Sequence, residues 1–80
     1  MKKEKVMATN LQVARKAAEI LTEETGEKHT ASLVAGTTAT IWNGGGGNVA
    51  RITRDGVVQG DNNNHVEALN YADWLLSQKS

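Results

Sequence analysis

Thr30-Ala-Ser-Leu-Val-Ala-Gly-Thr-Thr-Ala-Thr-Ile-Trp42 is the stretch that decides the fold. Leu33, Ala35, Ala39 and Ile41 alternate in it with Ser32, Val34, Thr38, Thr40 and Trp42, and it is rich in β-branched residues. A period of two in such residues marks strands with one buried face. Gly36-Thr37 interrupts the alternation, which predicts two strands joined by a tight turn in preference to one long bulged strand. Downstream, the four glycines Gly44, Gly45, Gly46 and Gly47 read as a mobile hairpin loop. Residues 49 to 54 then form a further strand, Asp55-Gly56 is a hairpin signal, and residues 57 to 59 make a short return strand that Gly60 ends.

Helical patterns flank this block on both sides. Thr9-Asn-Leu-Gln12 fits a capping box, in which a Thr hydroxyl and a Gln side chain each satisfy a backbone N–H at the helix start. Leu11, Ala14, Ala18 and Leu21 follow at helical spacing with Ala17 and Ile20 beside them, and Gly26 suits the helix end. The spacing predicts a helix over residues 10 to 25. After the polar run 61 to 64, the stripe Ala68, Leu69, Ala72, Leu75 and Leu76 predicts a second helix over residues 65 to 78. The fold class is therefore α+β: a helix, a three- to four-stranded antiparallel sheet and a helix (α-β-β-β-α type), with both helices on one face of the sheet. Residues 1 to 8 read as a flexible basic arm and residues 9 to 80 as a single domain.

At 80 residues the chain holds one small core. With no Phe, it has only Trp42, Tyr71 and Trp74 to add aromatic bulk to Leu, Ile and Val. Nine basic and nine acidic residues cancel, so no global field draws the chain to nucleic acid or an anionic membrane. The absence of Cys excludes a disulfide framework and a thiolate metal site. No apolar run approaches the ~20 residues of a membrane span, and no targeting segment is recognisable, so the cytoplasm is the expected compartment and no membrane partner is expected.

No pattern marks an enzyme. His29 and His65 each sit at the mouth of a loop outside any catalytic motif, and His65 with Asp61 falls short of the three or four ligands of a metal site. Neither cofactor nor metal is expected. Phosphate loops lead into a helix with a Lys and a Ser or Thr, whereas Gly44 to Gly47 lead into a strand.

The sheet face left bare by the helices is the more informative surface. With Leu33, Ala39, Ile41, Ala50 and Ile52 directed at the helices, alternation sends Ser32, Val34, Thr38, Thr40, Trp42, Val49, Arg51 and Thr53 the other way. Trp offers rigid amphipathic area and Arg offers planar donors, the pairing that anchors protein interfaces. The expected partner surface comprises Trp42, Arg51, Thr38, Thr40 and Thr53 with Gly44 to Gly47. Self-association into a homodimer through the same face is also expected, because an Ala-rich core without Phe buries little area per residue.

The order of helix, strands and helix is similar to that of double-stranded-RNA-binding domains, over about residues 9 to 79. In that family RNA is gripped by a basic cluster at the start of the last helix and by a Pro/His-bearing loop between the first two strands. The corresponding stretches here read Asn62-Asn-Asn-His-Val-Glu67 and Ala35-Gly-Thr-Thr38, without phosphate-gripping lysines, so the resemblance implies a topology and no activity. Gln59-Gly-Asp61 followed by Glu67-Ala-Leu-Asn70 looks like the strand-to-helix passage of small antitoxins of the HicB type, over about twenty residues.

These observations point to a small non-enzymatic protein-binding module, such as an inhibitor or adaptor encoded by a phage or mobile element. It would act through the exposed sheet face and the glycine-rich loop. The alternative is a nucleic-acid-binding domain using Lys2, Lys3, Lys5, Arg15, Lys16, Arg51 and Arg54, against which the zero net charge counts because phosphate contacts dominate such affinity.

Overall fold

The computed structural model describes residues 9 to 34 and 38 to 77. The expected basic arm at residues 1 to 8, the expected turn at Gly36-Thr37 and residues 78 to 80 lie outside the described residues. At Thr9 the expected capping box is complete: the Thr9 hydroxyl accepts the Gln12 N–H (3.2 Å), and Gln12 Oε1 accepts the Thr9 N–H (2.8 Å). Two donors that a helix start would otherwise leave unpaired are thereby satisfied. Helix α1 runs Asn10–Thr25 and stops at Gly26, which takes the left-handed conformation at φ 77°. The chain then doubles back, fixed by the His29 N–H donating to Thr22 Oγ1 (2.8 Å).

Four strands follow, β1 (Thr30–Val34), β2 (Thr38–Trp42), β3 (Asn48–Ile52) and β4 (Val58–Gly60), and then α2 (Asn63–Ser77). The sheet is an antiparallel meander in the order β1-β2-β3-β4. Helix α2 begins two residues earlier than its apolar stripe suggests, because Asn62 Oδ1 accepts the His65 N–H (3.2 Å) and caps the first turn.

Both described hairpins share one construction. Asn43 N–H donates to Gly47 O and Gly46 N–H to Asn43 O; in the same way Thr53 N–H donates to Val57 O and Gly56 N–H to Thr53 O. Each is a three-residue loop closing on a left-handed glycine, Gly46 at φ 86° and Gly56 at φ 87°. This loop length is why β3 ends at Ile52 and not at residue 54, and why the return strand starts at Val58.

Both helices pack on one face of the sheet and against each other. The core joins Val13, Ala17 and Leu21 of α1, Ile41 and Ile52 of the sheet and Leu69 of α2, and seven of its thirteen buried apolar residues are alanine. Small side chains let helix and sheet backbones approach closely, at the cost of apolar area removed from water. The aromatic bulk expected in this core is absent. Tyr71 and Trp74 lie off the Ala68, Leu69, Ala72 stripe, are 52% and 54% exposed, and stack on each other with centroids 5.9 Å apart.

Strand β3 departs from alternation. Pairing with β2 passes from Ile41↔Ala50 to Trp42↔Asn48, so Val49 is an extra residue on its strand. The bulge turns Val49 inward beside Ala50, and both belong to the core. Val49 is thus corrected from the bare face to the buried one, and Asn48 takes its place outside. Leu33, directed toward the helices like its partner Ala39, remains 47% exposed because β1 is an edge strand.

Candidate partner-binding face

On the helix-free face, the registers align Ser32, Thr40, Arg51 and Gln59 in one polar row across all four strands. The Arg51 guanidinium bridges two strands' ends: Nη1 donates to Gln59 Oε1 (3.1 Å) and Nη2 to Asn48 Oδ1 (3.3 Å). Both acceptors are neutral amides. Among the described residues the one ion pair is Lys16–Glu19 at 3.6 Å on α1, so Arg51 is held in place without a carboxylate to offset its charge. A positioned cation of this kind keeps donors free for a carboxylate or carbonyl on another molecule.

Trp42, partly buried, lies toward β1 with its indole N–H donating to Ser32 Oγ (3.0 Å). The hydrogen bond fixes the ring over the outer pair of strands. Thr40 sits between Ser32 and Arg51 in register and two residues from Trp42, and it is only 2% exposed although no helix covers this face. Its neighbours' side chains close over it. Thr40 is therefore the floor of the face and not one of its exposed contacts. Thr38 is partly exposed at the far end of β2, and Thr53 belongs to the β3–β4 hairpin, where its hydroxyl accepts the Val57 N–H (3.1 Å).

The glycine loop is more ordered than its composition suggests. Asn43 Oδ1 accepts the N–H groups of both Gly45 and Gly47 at 2.9 Å, and Gly44 N–H donates to Glu27 Oε2 at 3.1 Å. With Gly46 N–H on Asn43 O, each glycine donor already has a partner within the chain. An anion cradle needs such donors unengaged, so the loop offers carbonyls and bare backbone to a neighbour instead.

Among the described residues the basic side chains do not form one patch. Lys2, Lys3 and Lys5 lie outside the described residues. Arg15 and Lys16 stand on α1, which covers the opposite side of the sheet from Arg51, and Arg54 is exposed in the β3–β4 turn. His29 is buried with Nδ1 2.7 Å from Glu27 O, and His65 lies against Gly60 at the start of α2. Among the described residues no three His, Cys, Asp or Glu side chains come together, and no helix is long and apolar enough to cross a membrane.

Asn48 and Gln59, which position Arg51, escaped the sequence reading. Gln59 was legible as the outward residue of the return strand, whereas Asn48 reaches this face only through the bulge. No family model, curated protein or solved structure matches the chain.

Proposed function

We propose that the chain is a small non-enzymatic protein-binding module whose contact surface is the helix-free sheet face, with Trp42 and Arg51 as its anchors. The observation that carries this reading is the fixing of Arg51 by two neutral amide oxygens, 3.1 and 3.3 Å away. A cation that has no counter-charge among the described residues, on the same face as a pinned indole, suits a partner that presents a carboxylate or a row of carbonyls together with an apolar group. The glycine loop flanks Trp42 and lets a partner's backbone come close. A module this small fits an inhibitor or adaptor, of the kind phages and mobile elements encode, working in the cytoplasm.

The test compares affinity capture by the wild type with capture by Trp42→Ala, Arg51→Ala and, as a control on α2, Tyr71→Ala. A specific protein partner is lost with the first two and retained by the third. Once that partner is purified, Trp42→Ala weakens the complex by about 2 kcal/mol or more, with little dependence on salt. Titration with short single- and double-stranded oligonucleotides at two salt concentrations decides against the reading if it shows salt-sensitive binding in the micromolar range or tighter.

A further inference from the structure

We infer that β1 is a homodimerisation edge, pairing antiparallel with β1 of a second copy to make one continuous eight-stranded sheet. The inference is independent of the partner-binding reading and uses a different surface from the face bearing Arg51.

Among the described residues β1 pairs with β2 alone, which leaves one row of its backbone donors and acceptors unpaired. Natural edge strands are usually blunted by Lys, by Pro, by a bulge or by shortness. Thr30–Val34 has none of these: it carries no charge and no Pro, and its five pairs with β2 run in unbroken register. The opposite edge, β4, is three residues long and packs against α2.

The strand is also complementary to itself. A two-fold axis through Ser32 sets Leu33 of each copy beside Ala31 of the other on the helix side, and Val34 beside Thr30 on the bare side. Each large exposed residue, Leu33 at 47% and Val34 at 42%, thereby meets a smaller one.

Charge follows the same symmetry. Arg15, Glu19 and Glu23 of α1 line, with Lys28, Thr30 and Ala31, the groove between α1 and the β1 edge. Because Thr22 holds His29 at the chain reversal, the Glu23 end of α1 stands beside the start of β1. Arg15 lies eight residues or about 12 Å earlier along the helix, a distance close to the length of the five-residue strand. The two-fold axis brings α1 antiparallel to its copy, so Arg15 of each faces Glu23 of the other, while Glu19, midway between them and paired with Lys16 at 3.6 Å, faces its own copy across the axis.

Sedimentation equilibrium of the full chain is expected to show a concentration-dependent dimer. Leu33→Lys, at a half-exposed site, abolishes it while leaving the circular dichroism of the monomer unchanged. Arg15→Glu and Glu23→Arg each weaken dimerisation about tenfold by making two like-charge contacts, and the double variant recovers the loss. Hydrogen exchange at the β1 amides that face away from β2 slows as concentration rises. A monomer at high micromolar concentration overturns the proposal, as does a dimer that survives Leu33→Lys and is lost with Arg51→Ala, which would place the contact on the open face.

Discussion

Asn48 and Arg51 are three residues apart on one strand, yet Arg51 Nη2 donates to Asn48 Oδ1 at 3.3 Å. In a regular strand residues at that spacing point to opposite faces. The bulge at Val49 puts them on the same one, and it settles two matters together: where the cation of the open face is held, and that Val49 is core.

Truncating Val49 therefore costs what a core residue costs. Val49→Ala is expected to destabilise by about 2 kcal/mol, the transfer of two methylene equivalents plus a small cavity. Val57→Ala, at a 52% exposed position after the β3–β4 turn, stays within about 0.5 kcal/mol. Urea denaturation of the two variants checks this, and equal losses would place Val49 outside.

Asn43 governs the glycine loop. Asn43→Ala removes the acceptor shared by Gly45 and Gly47, and is expected to speed amide exchange at both while costing about 1 kcal/mol. Exchange measured residue by residue is the check; glycines that already exchange freely in the wild type would contradict the ordered loop.

The glycines are not equivalent. A Cβ on Gly60 would stand 2.9 Å from His65 Cβ and 3.3 Å from the Val66 backbone nitrogen, so Gly60→Ala pushes β4 from the start of α2 and costs about 1–3 kcal/mol. Gly46→Ala places Cβ in the left-handed region and costs about 1–2 kcal/mol. Gly45→Ala meets only an ordinary contact at 3.5 Å and changes stability by about 0.5 kcal/mol or less. Thermal melts of the three variants should rank them in that order.

The capping box gives a fourth measurement. Thr9→Ala is expected to cost about 1 kcal/mol, lowering the melting temperature by roughly 4–8 °C for a domain of this size. Thr9→Ser should retain most of the stability, and failure of Ser to rescue would show that the hydroxyl is not what holds α1.

The elements were legible because their signals are local: a capping box at Thr9, alternation through Ile41, a left-handed glycine at Gly26 and another at Gly56. The bulge was not, since Asn48-Val49-Ala50 contains no glycine and both Val and Ala suit either face of a sheet. The order of the glycine loop was equally hidden. It depends on Asn43 folding over its own turn and on Glu27 arriving from the far end of α1, neither of which leaves a pattern in the four glycines. The outward placement of Tyr71 and Trp74 could have been read from their distance off the α2 stripe, had size alone not argued for the core.

That no aromatic ring lies in the core changes how this protein can be watched. Emission from Trp74 reports the exposed surface of α2, where aqueous quenchers reach it in the native state, and emission from the partly buried Trp42 reports the open sheet face. The alanine-rich core itself carries no fluorophore, so its melting is followed more directly through the backbone. The same arrangement is useful for titrations: a molecule arriving on the open face perturbs Trp42, while Trp74, on the far side of the sheet, serves as an internal reference.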